Sequence, residues 1–192
     1  MGNQPRQDVL FFVAVIYYYC IYCYCYYYYY YYYFYYYYYD AGLHQYEVSA
    51  FAKEGEESQH NLNYWRFGDY IGLGAGAHGK VSLPDGAIVR TQRTRTPSDY
   101  LALAASAPMQ TPQEVNLQTL DRVAEFAMNT LRLKSGVPLT LFTQTTGADV
   151  DQLIAAADVA ISRGWLEAPI GGQFVTTPLG YRFLDSVVAT FV

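Results

Sequence analysis

Eighteen of the chain's 23 tyrosines fall within residues 17–39, and this tract limits which part of the chain can build a core. Residues 9–39 carry no charged side chain, which invites a membrane-spanning reading. Only residues 9–16 are continuously aliphatic or Phe, less than half of the ~20 residues a helix needs to cross hydrocarbon. Tyrosine favours the membrane interface, where its hydroxyl stays wet. No small-residue cleavage site follows the apolar run, as a secretory signal requires. The opening Met-Gly-Asn-Gln-Pro-Arg lacks the Ser or Thr that N-myristoylation wants at its sixth position. Tyr broken only by Cys, Phe and Ile is what a thymine- and adenine-rich simple repeat encodes when translated. Residues 1–39 are therefore read as low complexity, disordered or artefactual, with no membrane span; a real tract of this kind would be β-prone.

The remaining residues are ordinary in composition. A net charge of −5 gives no global electrostatic case for nucleic acid or an anionic membrane. Cys20, Cys23 and Cys25 all lie in the tract, and residues 40–192 contain no cysteine. A cysteine-free body needs no disulfide framework and fits a reducing cytoplasm. The C-x-x-C-x-C spacing offers the three thiolates an iron–sulfur cluster needs, but such ligands must be held by folded surroundings. Inside a Tyr repeat it is read as coincidence, and no cluster site is assigned.

Two units follow. In the first, residues 44–52 (HQYEVSAFA) alternate as a strand, and the charged loop KEGEES comes next. Residues 71–77 (IGLGAGA) place Gly at every second position, the pattern of a strand that another backbone approaches closely. Residues 80–92 predict a hairpin turning at Pro84-Asp85-Gly86, and Thr96-Pro97 opens a helix through Ala105. In the second unit, Leu120, Val123, Ala124, Ala127 and Leu131 form one helical face. A short helix follows Gly136-Val137-Pro138 and ends at Gly147. Asp149 caps the next, whose apolar face is Val150, Leu153, Ile154, Ala157 and Ile161, closed by Gly164. Residues 165–168 and 173–176 flank Gly171-Gly172 as a hairpin. Thr177-Pro178 starts a closing helix with Leu179, Phe183 and Val187 inward. The fold class is α+β, and three helices, a hairpin wing and a closing helix suggest a winged-helix arrangement.

The densest chemical signal is residues 60–70, HNLNYWRFGDY. A neutral imidazole such as His60 can ligate heme iron, and flat rings such as Tyr64 and Trp65 can cover a porphyrin. Arg66 can pair with a propionate through its planar fork. The residues equally suit a plainer role, with Tyr64 and Trp65 as core anchors and His60 as a loop hydrogen-bonder. GLGAGAHG (residues 72–79) has G-x-G-x-G rather than dinucleotide-binding spacing, with no helix to receive a pyrophosphate. His78, just beyond it, can face a site or bond a nearby carbonyl. A DNA-reading role is disfavoured, because residues 149–163 set Asp149, Asp151 and Asp158 against Arg163 alone.

Three blocks carry a family resemblance: QYEVSAFA (residues 45–52), HNLNYWRFGDYIGLGAGAHGK (residues 60–80) and DRVAEFAMNTLRL (residues 121–133) with the chain after it. Together they resemble the C-terminal part of the radical-SAM family that contains the heme chaperone HemW and the oxygen-independent coproporphyrinogen III oxidase HemN. The resemblance implies the last strands of an incomplete radical-SAM (β/α) barrel at residues 40–110, then a winged-helix-like HemN C-terminal domain at residues 111–192. Its H-N-x-x-Y-W signature implies heme handling rather than oxidation. His60 would be the iron ligand, completed by Asn61, Tyr64 and Trp65, with Arg66 and His78 at the pocket or propionates. The family's 4Fe-4S cluster and S-adenosylmethionine belong to C-x-x-x-C-x-x-C and barrel segments not found here, so no catalytic residue is assigned. The expectation is a truncated HemW-like heme chaperone in the cytoplasm, with heme and a heme-accepting protein as partners. The alternatives are the tail of a coproporphyrinogen-oxidase-like enzyme or a non-catalytic docking module.

Overall fold

The computed structural model describes residues 37–106, 113–116 and 119–192. The low-complexity reading of residues 1–39 and the three cysteines lie outside them, apart from Tyr37, Tyr38 and Tyr39. Helices and strands are mixed, as the α+β reading expects. The first half contains β1 (His44–Glu47), β2 (Ala50–Ala52), α1 (Gln59–Trp65), β3 (His78–Ser82), β4 (Ile88–Gln92), α2 (Pro97–Ser106) and β5 (Gln113–Asn116). The second contains α3 (Thr119–Thr130), β6 (Val137–Pro138), α4 (Leu139–Thr146), α5 (Val150–Ser162), β7 (Gln173–Phe174), α6 (Pro178–Arg182) and α7 (Leu184–Val188). Short 3₁₀ turns occupy Pro169–Gly171 and Ala189–Phe191.

The sheets are small and antiparallel: β1–β2, β3–β4–β5 and β6–β7. The strand expected over residues 44–52 folds back on itself instead. The Glu47 carboxylate accepts bonds from the Ser49 amide at 3.1 Å and hydroxyl at 3.0 Å, which closes a turn in mid-segment. The hairpin at Pro84-Asp85-Gly86 forms as expected, with the Ala87 amide donating to Asp85 Oδ1. β5, which the boundary at residue 110 gave to the second unit, pairs with β4.

Residues 71–77 are not a strand. Gly74 and Gly76 take positive φ, and Ile71 and Leu73 are exposed. The close approach survives at a different glycine pair: a Cβ on Gly72 would lie 2.3 Å from the His78 carbonyl oxygen, and one on Gly79 would meet Thr91.

The core centres on Phe126 in α3, whose ring meets Phe67, Phe142 and Phe174. Val123, Ala127 and Leu131 are buried beside it as expected, while the Leu120 side chain lies outside those described. α5 buries Leu153, Ala157 and also Ala160; its Asp149 cap accepts from the Asp151 amide, and Gly164 follows in the left-handed region. The hairpin expected over residues 165–176 is reduced to a Leu166–Thr176 bridge and the Glu167–Val175 backbone bond, and β7 turns to pair with β6.

The closing helix corrects the inward face. It breaks at Phe183, and both Leu179 and Phe183 are about half exposed. Gly180 fits under Trp165 so closely that a Cβ would lie 1.9 Å from its carbonyl oxygen. The inward stripe is therefore Gly180, Leu184, Val187 and Phe191, shifted one residue from the expectation except at Val187.

Candidate functional site

The H-N-x-x-Y-W segment forms the short helix α1. Ser58 caps its start by accepting from the Asn61 amide. Its end is a Schellman turn: Gly68 N–H donates to Asn63 O and Phe67 N–H to Tyr64 O. The left-handed position is filled by Phe67 (φ 60) where glycine is usual, a local cost of roughly 1 kcal/mol. Burying the Phe67 ring against Phe126 offsets it. Gly68 is needed beside it, because a Cβ would lie 2.7 Å from the Asn63 carbonyl oxygen.

Residues four apart share a stripe on a helix, so the motif divides among three faces. His60 and Tyr64 form the first. The His60 imidazole is exposed, packs edge-on to Tyr64 at 4.9 Å, and receives no hydrogen bond among the described residues. Tyr64 rests on Tyr70 at 4.4 Å, and the Tyr70 hydroxyl accepts a bond from Arg90. Arg90 grips both carboxylate oxygens of Glu125 on α3. Burial would lower the guanidinium pKa, but Glu125 and Tyr70 outweigh it and hold Arg90 above its ordinary value.

Asn61 and Trp65 form the second stripe and turn inward. The Asn61 amide donates to the Tyr46 hydroxyl at 3.2 Å, and Trp65 lies beneath the Arg132 guanidinium at 4.3 Å. Leu62 and Arg66 form the third and line an open groove of about 420 Å³ with Gln45, Tyr46, Leu133 and Lys134. Arg66 therefore does not share the His60 face. His78 is exposed opposite Gln92 in β3, and no ring contact or hydrogen bond joins it to α1 among the described residues. The structure thus brings His60 and Tyr64 together, backs them with Asn61 and Trp65, and sets Arg66 and His78 apart.

Sequence reading missed the groups that hold α1 in place. Lys80 is buried in β3, over Phe67 at 4.2 Å, with its ammonium on Asp69 Oδ1 at 2.9 Å. Burial works to raise the Asp69 carboxyl, but bonds from the Ser82 amide, Lys80 and the Ser82 hydroxyl hold it below its ordinary value. Tyr70 and Asp69 sit within the residue 60–70 block, so the signal was there. Their partners Arg90, Lys80 and Ser82 come from strands that only the fold places beside it.

A sequence profile of the HemN C-terminal domain family matches residues 117–183. The heme chaperone HemW of Escherichia coli K12 is 42% identical over 152 residues, covering 79% of this chain and 39% of that protein. The HemW of Haemophilus influenzae is 38% identical over the same length, covering 79% and 38%. A mitochondrial radical S-adenosyl methionine domain-containing protein 1 from Danio rerio is 39% identical over 101 residues, covering 51% of this chain and 23% of its own. The solved structure described as coproporphyrinogen III oxidase (HemN) from Escherichia coli, a radical SAM enzyme, superposes with a TM-score of 0.55. It does so at 11% identity over 81% of this chain and 38% of that one, a likeness of fold. The chain thus resembles the HemW and HemN-type family: it spans about two fifths of the length of the HemW relatives it matches, and its residues 117–183 match the HemN C-terminal domain.

Proposed function

We propose that this chain handles heme in the manner its HemW relatives are named for, presenting the macrocycle on the His60–Tyr64 stripe. One observation carries the reading: the motif histidine is exposed on a capped helix, and among the described residues its imidazole makes no hydrogen bond to another protein group. Heme iron takes an axial imidazole nitrogen, and a porphyrin face favours a flat aromatic neighbour. His60 supplies the nitrogen. Tyr64, steadied by Tyr70, supplies the ring. Asn61 and Trp65 keep the helix turned the right way, while Arg66 and His78 reach heme only at its periphery. Heme is cargo in this reading, passed to an accepting protein.

Residues 40–110 would then be strands from the end of a radical-SAM barrel, and residues 111–192 a winged-helix-like unit. S-adenosylmethionine and a 4Fe-4S cluster belong to the full-length relatives in this reading, and no catalytic step is assigned to the residues described. Among those residues no helix is long and apolar enough to cross a membrane. The cytoplasm is the proposed setting, in keeping with a cysteine-free stretch from residue 40 onward.

Hemin titration followed at the Soret band tests the proposal. His60→Ala should shift the band and weaken binding about tenfold, the equivalent of about 1.4 kcal/mol. His44→Ala, on β1 beside Tyr39, should leave both unchanged. Identical spectra and affinities for wild type and His60→Ala would return His60 to an ordinary surface histidine and favour the docking-module alternative.

A further inference from the structure

Three buried side-chain atoms lack a hydrogen-bond partner among the described residues, and all belong to one cluster: Glu47 Oε2, Trp65 Nε1 and Arg132 Nε. Folded proteins satisfy nearly all buried polar atoms, so a concentration of exceptions calls for another source of cohesion. Here it is charge. Arg132 faces Glu47 Oε2 at 3.7 Å and covers the Trp65 indole at 4.3 Å. Glu47 is almost wholly buried, and indole is the strongest cation–π acceptor among side chains.

The position of Arg132 gives this contact its meaning. It follows α3 in a segment that also touches β1 through the Glu47–Leu133 bridge and the Lys134 amide on Tyr46 O at 3.0 Å. It therefore joins β1, α1 and the matched C-terminal domain at one point. α1 has seven residues, too few to sustain a helix alone, so its orientation depends on what grips it.

We propose that Arg132 is a positioning residue: it locks α1 to the C-terminal domain through Trp65 and Glu47, and so sets the direction in which His60 and Tyr64 face. Only the last step rests on the heme reading.

The test is amide hydrogen exchange of the full chain carrying Glu47→Gln and Arg132→Met together. The pair removes both charges, so neither is left buried alone. Residues 59–66 should exchange roughly fivefold faster, the change that losing about 1 kcal/mol of cation–π attraction produces, while α5 exchanges as before. Arg132→Lys keeps the charge but lacks the flat guanidinium, so it should move α1 in the same direction and cover the case of a double variant that does not fold. Both variants should also alter the Soret position of bound hemin. Unchanged α1 exchange, or equal acceleration in α1 and α5, would overturn the proposal. Were His60→Ala alone to leave hemin binding untouched, the heme reading would fall while the exchange result still judged Arg132.

Discussion

The two halves of the molecule are held together by different means. Between residues 37 and 106 the buried apolar side chains are Phe67, Ile88 and Val89, and two charged residues, Glu47 and Lys80, are buried with them. The other buried apolar side chains among the described residues run from Val123 to Phe191, around Phe126. The first half thus depends on ion pairs, turns and a single aromatic inserted into its neighbour, whereas the second encloses a continuous core. The candidate site lies on the weaker half, and its helix is gripped by groups from the stronger one. A presenting surface can be shaped this way, with exposed chemistry on a short element and rigidity supplied from behind.

Separating the halves should have the largest effect. Residues 115–192 should show a cooperative thermal transition alone, and residues 40–110 should not, because their short strands leave unpaired edges. Comparable transitions in both fragments would remove the contrast. Next comes Phe126→Ala, which empties the point where Phe67, Phe142 and Phe174 converge. It should cost about 4 kcal/mol in urea denaturation and loosen both halves.

The Asp69–Lys80 pair sharpens the comparison within the first half. Asp69→Asn should cost about 2 kcal/mol at neutral pH, low for a broken buried pair because Asp69 reaches solvent. A carboxyl held below its ordinary value stabilises the fold above that value and loses the effect as pH falls. The gap between wild type and Asp69→Asn should therefore close as pH drops below 3.8, the ordinary value. A pH-independent gap would assign the loss to packing. The smallest effect is expected in the second half. Thr177→Ala removes the cap on the Gly180 amide and should lower stability by about 1 kcal/mol, without changing exchange in α1.

Local rules made much of the second half legible. Asp149, Gly147 and Gly164 mark helix ends where capping chemistry puts them, and the α3 face follows from its period. The closing helix was misread because Gly180, the residue that lets it approach Trp165, carries no hydrophobic signal. Phe126 escaped the predicted face for a related reason: it lies beside the chosen stripe, and only the neighbouring Phe67, Phe142 and Phe174 show which way the helix turns. In the first half, alternation suggested strands at residues 44–52 and 71–77, but side-chain bonds to the backbone at Ser49 and positive φ at Gly74 and Gly76 decided otherwise. The motif was visible as a string, whereas its division into a stripe with an exposed His60 on a half-buried Tyr64 and a stripe of Asn61 and Trp65 gripped by Tyr46 and Arg132 needed the helix to be in place.

The most direct test of the account is chemical rescue at residue 60. His60→Gly removes the imidazole and leaves Tyr64 on Tyr70, so free imidazole added with hemin should occupy the vacated position and restore the wild-type Soret band. His44→Gly should show no such dependence on imidazole. A His60→Gly protein that binds hemin with the wild-type spectrum before imidazole is added would contradict the claim that this stripe presents the iron ligand.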